Sequence, residues 1–114
     1  MYTFVFGNSR LSVHSLWRVT DEATILLTRE DDGQRFGLPT PINARQRASE
    51  LLDRAVVRSV TVDEQKGDLA ISFGQWRLEV INDSSGYEAW TLHGPTTDII
   101  AASGGKVQVL AREV

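Results

Sequence analysis

Inward and outward positions alternate over residues 11–19, which marks this segment as β structure. A side-chain period of two predicts a half-buried strand. Residues 24–29 predict a second strand, and the polar residues 20–23 suit a hairpin turn between the two. A short return strand is expected over residues 35–38. The inward positions of the first strand are Leu11, Val13, Ser15, Trp17 and Val19.

One helix is predicted near residues 43–56. Pro39 and Pro41 break the preceding pattern, because proline lacks an amide donor and restrains the residue before it. Asn43 follows as an N-cap, with Gln46 three residues later in the arrangement of a capping box. Apolar positions then recur at helical spacing on one face. They are Ala44, Ala48, Leu51, Leu52, Ala55 and Val56.

The remainder of the chain reads as short strands separated by polar turns. Short turns favour antiparallel pairing, since a parallel crossover needs a dozen or more residues. The fold class is therefore α+β: a mostly antiparallel β-sheet with an N-terminal hairpin, one central helix near 43–56 and a C-terminal five-strand meander. The strand segments after the helix are 57–62, 69–73, 76–80, 87–92, 97–102 and 106–110.

Several motifs in the C-terminal half resemble those of a family of small, uncharacterised bacterial domains. The similar segments are Leu69–Phe73, Gly74, Trp76–Val80, Tyr87-Glu88-Ala89-Trp90, Gly94-Pro95 and Gly104-Gly105, with Asp31-Asp32-Gly33 in the N-terminal hairpin. The resemblance implies a fold type. It implies no activity, and no functional residue is carried over from the family.

Composition places the chain among ordinary globular proteins. Its 114 residues suffice for one core, so a single domain spanning 1–114 is expected. There is no cysteine, and no stretch approaches the roughly 20 apolar residues of a membrane span. The N-terminus lacks the basic and apolar regions of a signal peptide. We expect a soluble, cytoplasmic protein with no membrane contact.

No combination of residues predicts a catalytic, cofactor or metal site. His14 and His93 form no spaced pair of the kind that binds metal. Ser103, His93 and Asp98 supply the residue types of a triad, but no nucleophile elbow frames the serine. Glu79 and Glu88 are a second candidate, as a carboxylate pair on adjacent strands. The favoured alternative is that Arg77 or another arginine neutralises Glu79.

The tryptophans are expected to differ in role. Trp17 and Trp76 keep phase with apolar neighbours on their strands, so both are predicted in the core. Trp90 keeps phase with Glu88 and Leu92, one polar and one apolar, so the pattern does not decide whether it faces the core or solvent. Trp90 is therefore the candidate aromatic anchor for a partner.

Charge favours another protein as the partner. The net charge is −3 and the basic residues are scattered, so no nucleic-acid partner is expected. Clustered carboxylates can steer a basic partner, although turns also collect charge simply because they face water. One form of such a module is an immunity protein that neutralises a toxin such as a nuclease. The candidate contacts are Glu30, Asp31, Asp32, Asp63, Glu64, Asp83 and Trp90.

Two other functions remain open at this stage. The first is a small-ligand binder or enzyme with a pocket between the sheet and the helix, whose polar groups would come from Arg77, Glu79, Glu88 or His93. The second is self-association. The apolar run 99–102 fits either a central strand covered on both faces or part of a homodimer interface.

Overall fold

The described part of the chain folds into two antiparallel sheets of five strands each and one α-helix. The computed structural model describes residues 1–111, and the expected α+β class is confirmed. Short 3₁₀ turns at Arg29–Asp31 and Ser103–Gly105 follow β4 and β9. The elements are β1 (Tyr2–Phe6), β2 (Ser9–Val13), β3 (Leu16–Thr20), β4 (Ile25–Thr28), α1 (Ala44–Leu51), β5 (Ser59–Val62), β6 (Leu69–Ser72), β7 (Arg77–Ile81), β8 (Trp90–His93), β9 (Thr97–Ala101) and β10 (Val107–Ala111).

Each sheet combines a hairpin from before the helix with a meander from after it. The first sheet has the order β1-β2-β8-β9-β10, and the second has the order β4-β3-β7-β6-β5. The chain changes sheet twice, at residues 14–15 and again at 82–89. The strands after α1 are therefore two three-stranded meanders in different sheets. The single five-strand meander expected from the sequence was wrong in this respect.

The segment predicted as the first strand forms two strands, β2 and β3, with a bend between them. Its five inward positions, 11, 13, 15, 17 and 19, are each at most 3 % exposed, so the face was predicted correctly. The backbone nevertheless breaks at His14 and Ser15, whose N–H groups both donate to the carbonyl oxygen of Ala89, at 2.8 and 3.3 Å. β2 and β3 consequently pair in different sheets and line one shared core.

Aromatic side chains fill the part of the core next to the helix. Trp17 is fully buried and meets the rings of Tyr2 and Phe4 edge-on, with centroids 5.0 and 5.3 Å away. Its Nε1 has no hydrogen-bond partner within residues 1–111. Trp76 is only half-buried. The core position predicted for both tryptophans is therefore confirmed for Trp17 and wrong for Trp76.

Trp90 ties the two sheets together where they meet. It is fully buried, and its Nε1 donates a hydrogen bond of 2.7 Å to the carbonyl oxygen of Gly67 in the β5–β6 turn. The β9–β10 turn packs against the same β5–β6 turn. A Cβ on Gly105 would lie 2.7 Å from the carbonyl oxygen of Lys66, and Gly105 has φ +84°. The contact between the two turns therefore requires glycine.

The helix begins as predicted and ends early. Asn43 accepts a hydrogen bond of 3.1 Å from the amide of Gln46, as an N-cap should. Within the described residues the Gln46 side chain accepts no hydrogen bond from the Asn43 amide, so the capping box is not closed; it donates to Glu50 instead. α1 stops at Leu51, five residues short of the expected end, because Arg54 turns into the left-handed region at φ +59°. The return strand expected at 35–38 is also wrong, since this segment is a turn.

Replacing Asn43 with alanine is expected to lower the free energy of unfolding by about 1 kcal/mol, since the Gln46 amide loses its acceptor. Urea unfolding followed by circular dichroism measures the loss. Ser49→Ala, in the interior of the same helix, is the matched control and should change stability little, because alanine is the better helix former. Equal losses in the two variants would contradict the cap.

Candidate functional site

The topology gathers the separate acidic segments along one margin of the second sheet. Leu16 pairs with Ile81, Val80 with Leu69, and Leu69 with Val62, so β5 and β7 end where β3 and β6 begin. β4 ends on the same side, since its Thr28 pairs with Arg18 near the start of β3. The segments that leave the sheet there are 29–32, 63–68 and 82–88, and we call them together the acidic margin.

All six candidate carboxylates lie on the acidic margin, which spans five strands or about 19 Å. Within the margin only Arg29 and Lys66 are basic, so negative charge predominates. Arg29 donates a hydrogen bond of 2.8 Å to the carbonyl oxygen of His14. The six carboxylates belong to Glu30, Asp31, Asp32, Asp63, Glu64 and Asp83.

Four of these carboxylates accept hydrogen bonds from backbone amides. Such bonds build the local turns and also fix the direction in which each negative charge points. Glu30 and Glu64 are exposed and have no such bond within the described residues. The bonds run to Asp31 from Thr28 (2.9 Å), to Asp32 from Ala44 (2.9 Å), to Asp63 from Gln65 (2.9 Å) and to Asp83 from Leu16 (3.2 Å).

Trp90 cannot serve as the aromatic anchor of this surface. Its burial and its bond to Gly67 place it wholly inside the fold, so the expectation that it contacts a partner does not hold. Tyr87, three residues earlier on the acidic margin, is 80 % exposed. It borders a shallow depression of about 460 Å³ with His14, Asp83 and Glu88. The sequence signal for Tyr87 was its position directly after the polar loop 82–86 and three residues before the buried start of β8.

The structure brings His93 and Asp98 together. They are cross-strand partners of β8 and β9, with Nδ1 and Oδ1 3.2 Å apart. Arg10 is the opposite neighbour of His93 on β2. The side chain of Ser103, the third residue of the candidate triad, lies outside the described part of the structure. The absence of a catalytic, metal or cofactor site stays a prediction.

Glu79 and Glu88 do not lie on adjacent strands, as the candidate carboxylate pair required. Glu79 lies on β7 between Arg18 and Ala70 of the neighbouring strands, whereas Glu88 belongs to the loop that leads to β8. The Nε of Arg18 is 3.0 Å from Oε1 of Glu79, so an arginine does neutralise this carboxylate, as the favoured alternative proposed. Partly exposed pairs of this kind contribute little stability.

A groove of about 340 Å³ runs between β1 and α1. It occupies the position expected for a pocket between sheet and helix. None of the four polar residues expected in such a pocket, Arg77, Glu79, Glu88 and His93, lines it. Its polar side chains include Arg45, on α1, which donates a hydrogen bond of 3.0 Å to the carbonyl oxygen of Met1.

Two negative findings concern residues 1–111 only. No three histidine, aspartate or glutamate side chains in this range are grouped closely enough to hold a metal ion. None of the helices in this range has the length and apolar character needed to cross a bilayer.

Asp21 lies in the β3–β4 turn, at the opposite margin of the second sheet. Its Oδ1 accepts hydrogen bonds from the amides of Ala23 (2.8 Å) and Thr24 (2.7 Å), which lower the pKa of Asp21 below its ordinary 3.8. A depressed pKa in the fold means that this turn adds stability above the unfolded pKa and loses it as pH falls through the folded one. An NMR titration of the Asp21 carboxyl carbon should show a lower midpoint in the folded chain than in urea. Identical midpoints would contradict the two bonds.

These features define a class of protein: a small domain of two antiparallel sheets that share one core, with a helix beside the edge strand β1. The chain belongs to DUF6188, a family of unknown function, whose sequence model matches residues 5–111. The match covers nearly the whole chain and agrees with the resemblance to a family of uncharacterised domains. No curated protein and no solved structure matches the chain.

Proposed function

We propose that this chain is a non-catalytic protein-binding domain whose acidic margin contacts a basic surface of another protein. The observation that carries the proposal is the sheet order, which assembles six carboxylates from three separate segments along about 19 Å. In its more specific form, the proposal is that of a bacterial, cytoplasmic immunity protein that neutralises a toxin such as a nuclease.

Fixed carboxylates suit the recognition of a basic partner. Because backbone amides already orient four of them, little side-chain freedom is lost on binding. The clustered negative charge accelerates encounter with a positive surface, and the gain falls as salt screens it. The exposed ring of Tyr87 supplies apolar contact area of the kind that is enriched at interfaces.

A nuclease is a reasonable partner on chemical grounds. Nucleic-acid sites carry lysine and arginine side chains that bind phosphates. A row of carboxylates carries negative charge, as the phosphates of a nucleic acid do, and therefore competes with the nucleic acid for that site. The partner is therefore expected to be basic, and the complex is expected to block substrate without any reaction at the acidic margin.

The test uses the purified products of the genes that flank this one, with association rates measured at 50 and 500 mM NaCl. A specific partner should bind, and its association rate should fall by about tenfold or more at the higher salt. Glu30→Gln combined with Glu64→Gln removes two charges without removing a backbone bond, and it should slow association at low salt.

Glu22→Gln combined with Glu50→Gln is the matched control, because it removes the same charge away from the acidic margin. Its association rate should stay close to that of the unchanged chain. If no flanking product binds, or if both double variants behave alike, the proposal fails. A partner that binds without losing its toxic activity would remove the immunity form and leave the binding domain.

A small-ligand site or enzyme remains the second candidate, favoured by the groove between β1 and α1. A volume of about 340 Å³ lies at the lower end of the range for small-molecule sites. A thermal-shift screen against a metabolite library tests this candidate, since a ligand that binds only the folded chain raises its Tm. No shift with any compound would remove its support.

Homodimerisation is a further proposal about partners. β9 is an interior strand of the first sheet, between β8 and β10, and Ile99 and Ile100 on its two faces are each half-buried. Light scattering over a range of concentrations decides whether the chain is a monomer or a dimer.

A further inference from the structure

β1 exposes one backbone edge along the groove. Within residues 1–111 it is the end strand of the first sheet and pairs with β2 alone. The groove is lined by all five consecutive residues of Tyr2–Phe6. Because successive side chains of a strand point to opposite faces, a groove that touches every residue follows the strand's edge. Its wall there is therefore main chain with hydrogen-bonding capacity.

The helix supplies the opposite wall. Ala48 and Leu52 give it an apolar surface, and Ser49 lies beside them on the groove. The eight residues of α1 extend for about 12 Å, and the five residues of β1 for about 16 Å. The groove is thus long enough for four or five residues of extended chain.

The sequence of β1 carries none of the side-chain protections that commonly guard an edge against pairing. Natural edge strands are commonly guarded by lysine, proline or an inward charge. The sequence Tyr-Thr-Phe-Val-Phe has no charged residue, no proline and no glycine, and Val5 is 68 % exposed. An unguarded edge beside a helix is the arrangement that accepts an added strand.

The charge of the groove differs from that of the acidic margin. Arg45 lies near the start of β1, with its guanidinium 5.0 Å from the centre of the Tyr2 ring. Arg54 follows the end of α1. Arg45 and Arg54 give the groove two positive charges, against the single negative charge of Asp53. The two arginines favour a carboxylate on whatever occupies the groove.

We propose that the groove between β1 and α1 binds an extended peptide segment of a partner protein by strand addition to β1. Apolar side chains at alternate positions of the segment face Ala48 and Leu52, and an acidic side chain approaches Arg54. The segment contributes main-chain hydrogen bonds to β1. This site lies apart from the acidic margin, so it stands or falls independently of the binding function proposed above.

The test uses three synthetic peptides, N-acetylated and C-amidated, with Kd measured by fluorescence anisotropy. The first alternates valine and glutamate over five residues, the second replaces glutamate with lysine, and the third is the glutamate peptide N-methylated at alternate amides. The glutamate peptide should bind. The other two should bind about tenfold more weakly or worse, because one loses the charge match and the other loses the backbone bonds.

Variants of the helix locate the site. Ser49→Trp fills the groove from an exposed position and should weaken binding by about tenfold or more, whereas Gln46→Trp, also exposed on α1 but outside the lining of the groove, should not. Arg54→Glu should weaken binding by several fold, and Arg47→Glu, on α1 outside the lining of the groove, is its control. Amide exchange of β1 should slow when the glutamate peptide is present.

Three outcomes would overturn the proposal. One is no saturable binding of the glutamate peptide up to about 1 mM, the weakest affinity of interest. Another is binding that Ser49→Trp leaves unchanged. The third is a concentration-dependent dimer that Ser49→Trp abolishes, since it would assign the groove to a second copy of the chain. None of these outcomes bears on the salt-dependent binding tested with Glu30 and Glu64.

Discussion

Replacing Gly105 with alanine is expected to lower the free energy of unfolding by about 2 to 5 kcal/mol. The new Cβ would lie 2.7 Å from the carbonyl oxygen of Lys66 and 2.9 Å from its carbonyl carbon, both backbone atoms. Left-handed backbone costs a residue with a Cβ about 1 to 2 kcal/mol, and overpacking adds about 1 to 3. Chemical unfolding followed by tryptophan fluorescence measures the loss.

Gly74→Ala separates the two causes. Gly74 has φ +90°, yet a Cβ there meets no atom within 4 Å. This variant should therefore show the backbone strain alone, about 1 to 2 kcal/mol. If the two glycine variants lose equal stability, the contact between the β5–β6 and β9–β10 turns is not tight, and Gly105 is required only for its conformation.

Trp90→Phe is expected to lower the free energy of unfolding by about 2 to 4 kcal/mol. The substitution removes a buried hydrogen bond of 2.7 Å and leaves the carbonyl oxygen of Gly67 without its donor. It also leaves a space where the larger ring system stood. Thermal or urea unfolding by circular dichroism gives the value, since the fluorescence of the removed indole is lost.

Trp17→Phe is the matched control for the hydrogen bond. Trp17 is as deeply buried as Trp90, but its Nε1 bonds to no group within residues 1–111. The same change of ring should therefore cost less at position 17, by about 1 to 3 kcal/mol. Equal losses at the two positions would mean that the bond to Gly67 adds nothing to stability.

The sequence predicted which faces of the strands are buried better than it predicted where they lie. The positions from Leu11 to Val19 alternate correctly because burial selects side chains with a period of two. A bend in the backbone leaves that period intact, so the alternation does not reveal that the chain passes from one sheet to the other at Ser15. The alternation in Tyr2–Phe6 was readable in the same way and was missed.

The helix shows the same division between local and tertiary information. Its start depends on a short-range contact, Asn43 with the Gln46 amide, and such contacts are visible in sequence. Its end depends on Arg54 in a left-handed conformation, although arginine has no preference for one. The apolar spacing that continued to Val56 predicted further helix, but Val56 is 67 % exposed.

The candidate site was predicted as a set of residues and not as a surface. Glu30, Asp63 and Asp83 are far apart in the chain, and only the strand order β4-β3-β7-β6-β5 makes their segments leave the sheet on one side. Strand order depends on pairings such as β3 with β7, which form between distant segments and leave no local pattern. The groove beside β1 was hidden for the same reason.

The distribution of strands bears on how the chain can be divided. Residues before α1 supply β1 and β2 to one sheet and β3 and β4 to the other, and the later residues complete both. A cut in the loop between Gly33 and Ile42 would therefore yield two complementary fragments, neither of which has a full core. Joined to two other proteins, such fragments would refold only when brought together, as a split reporter of proximity does.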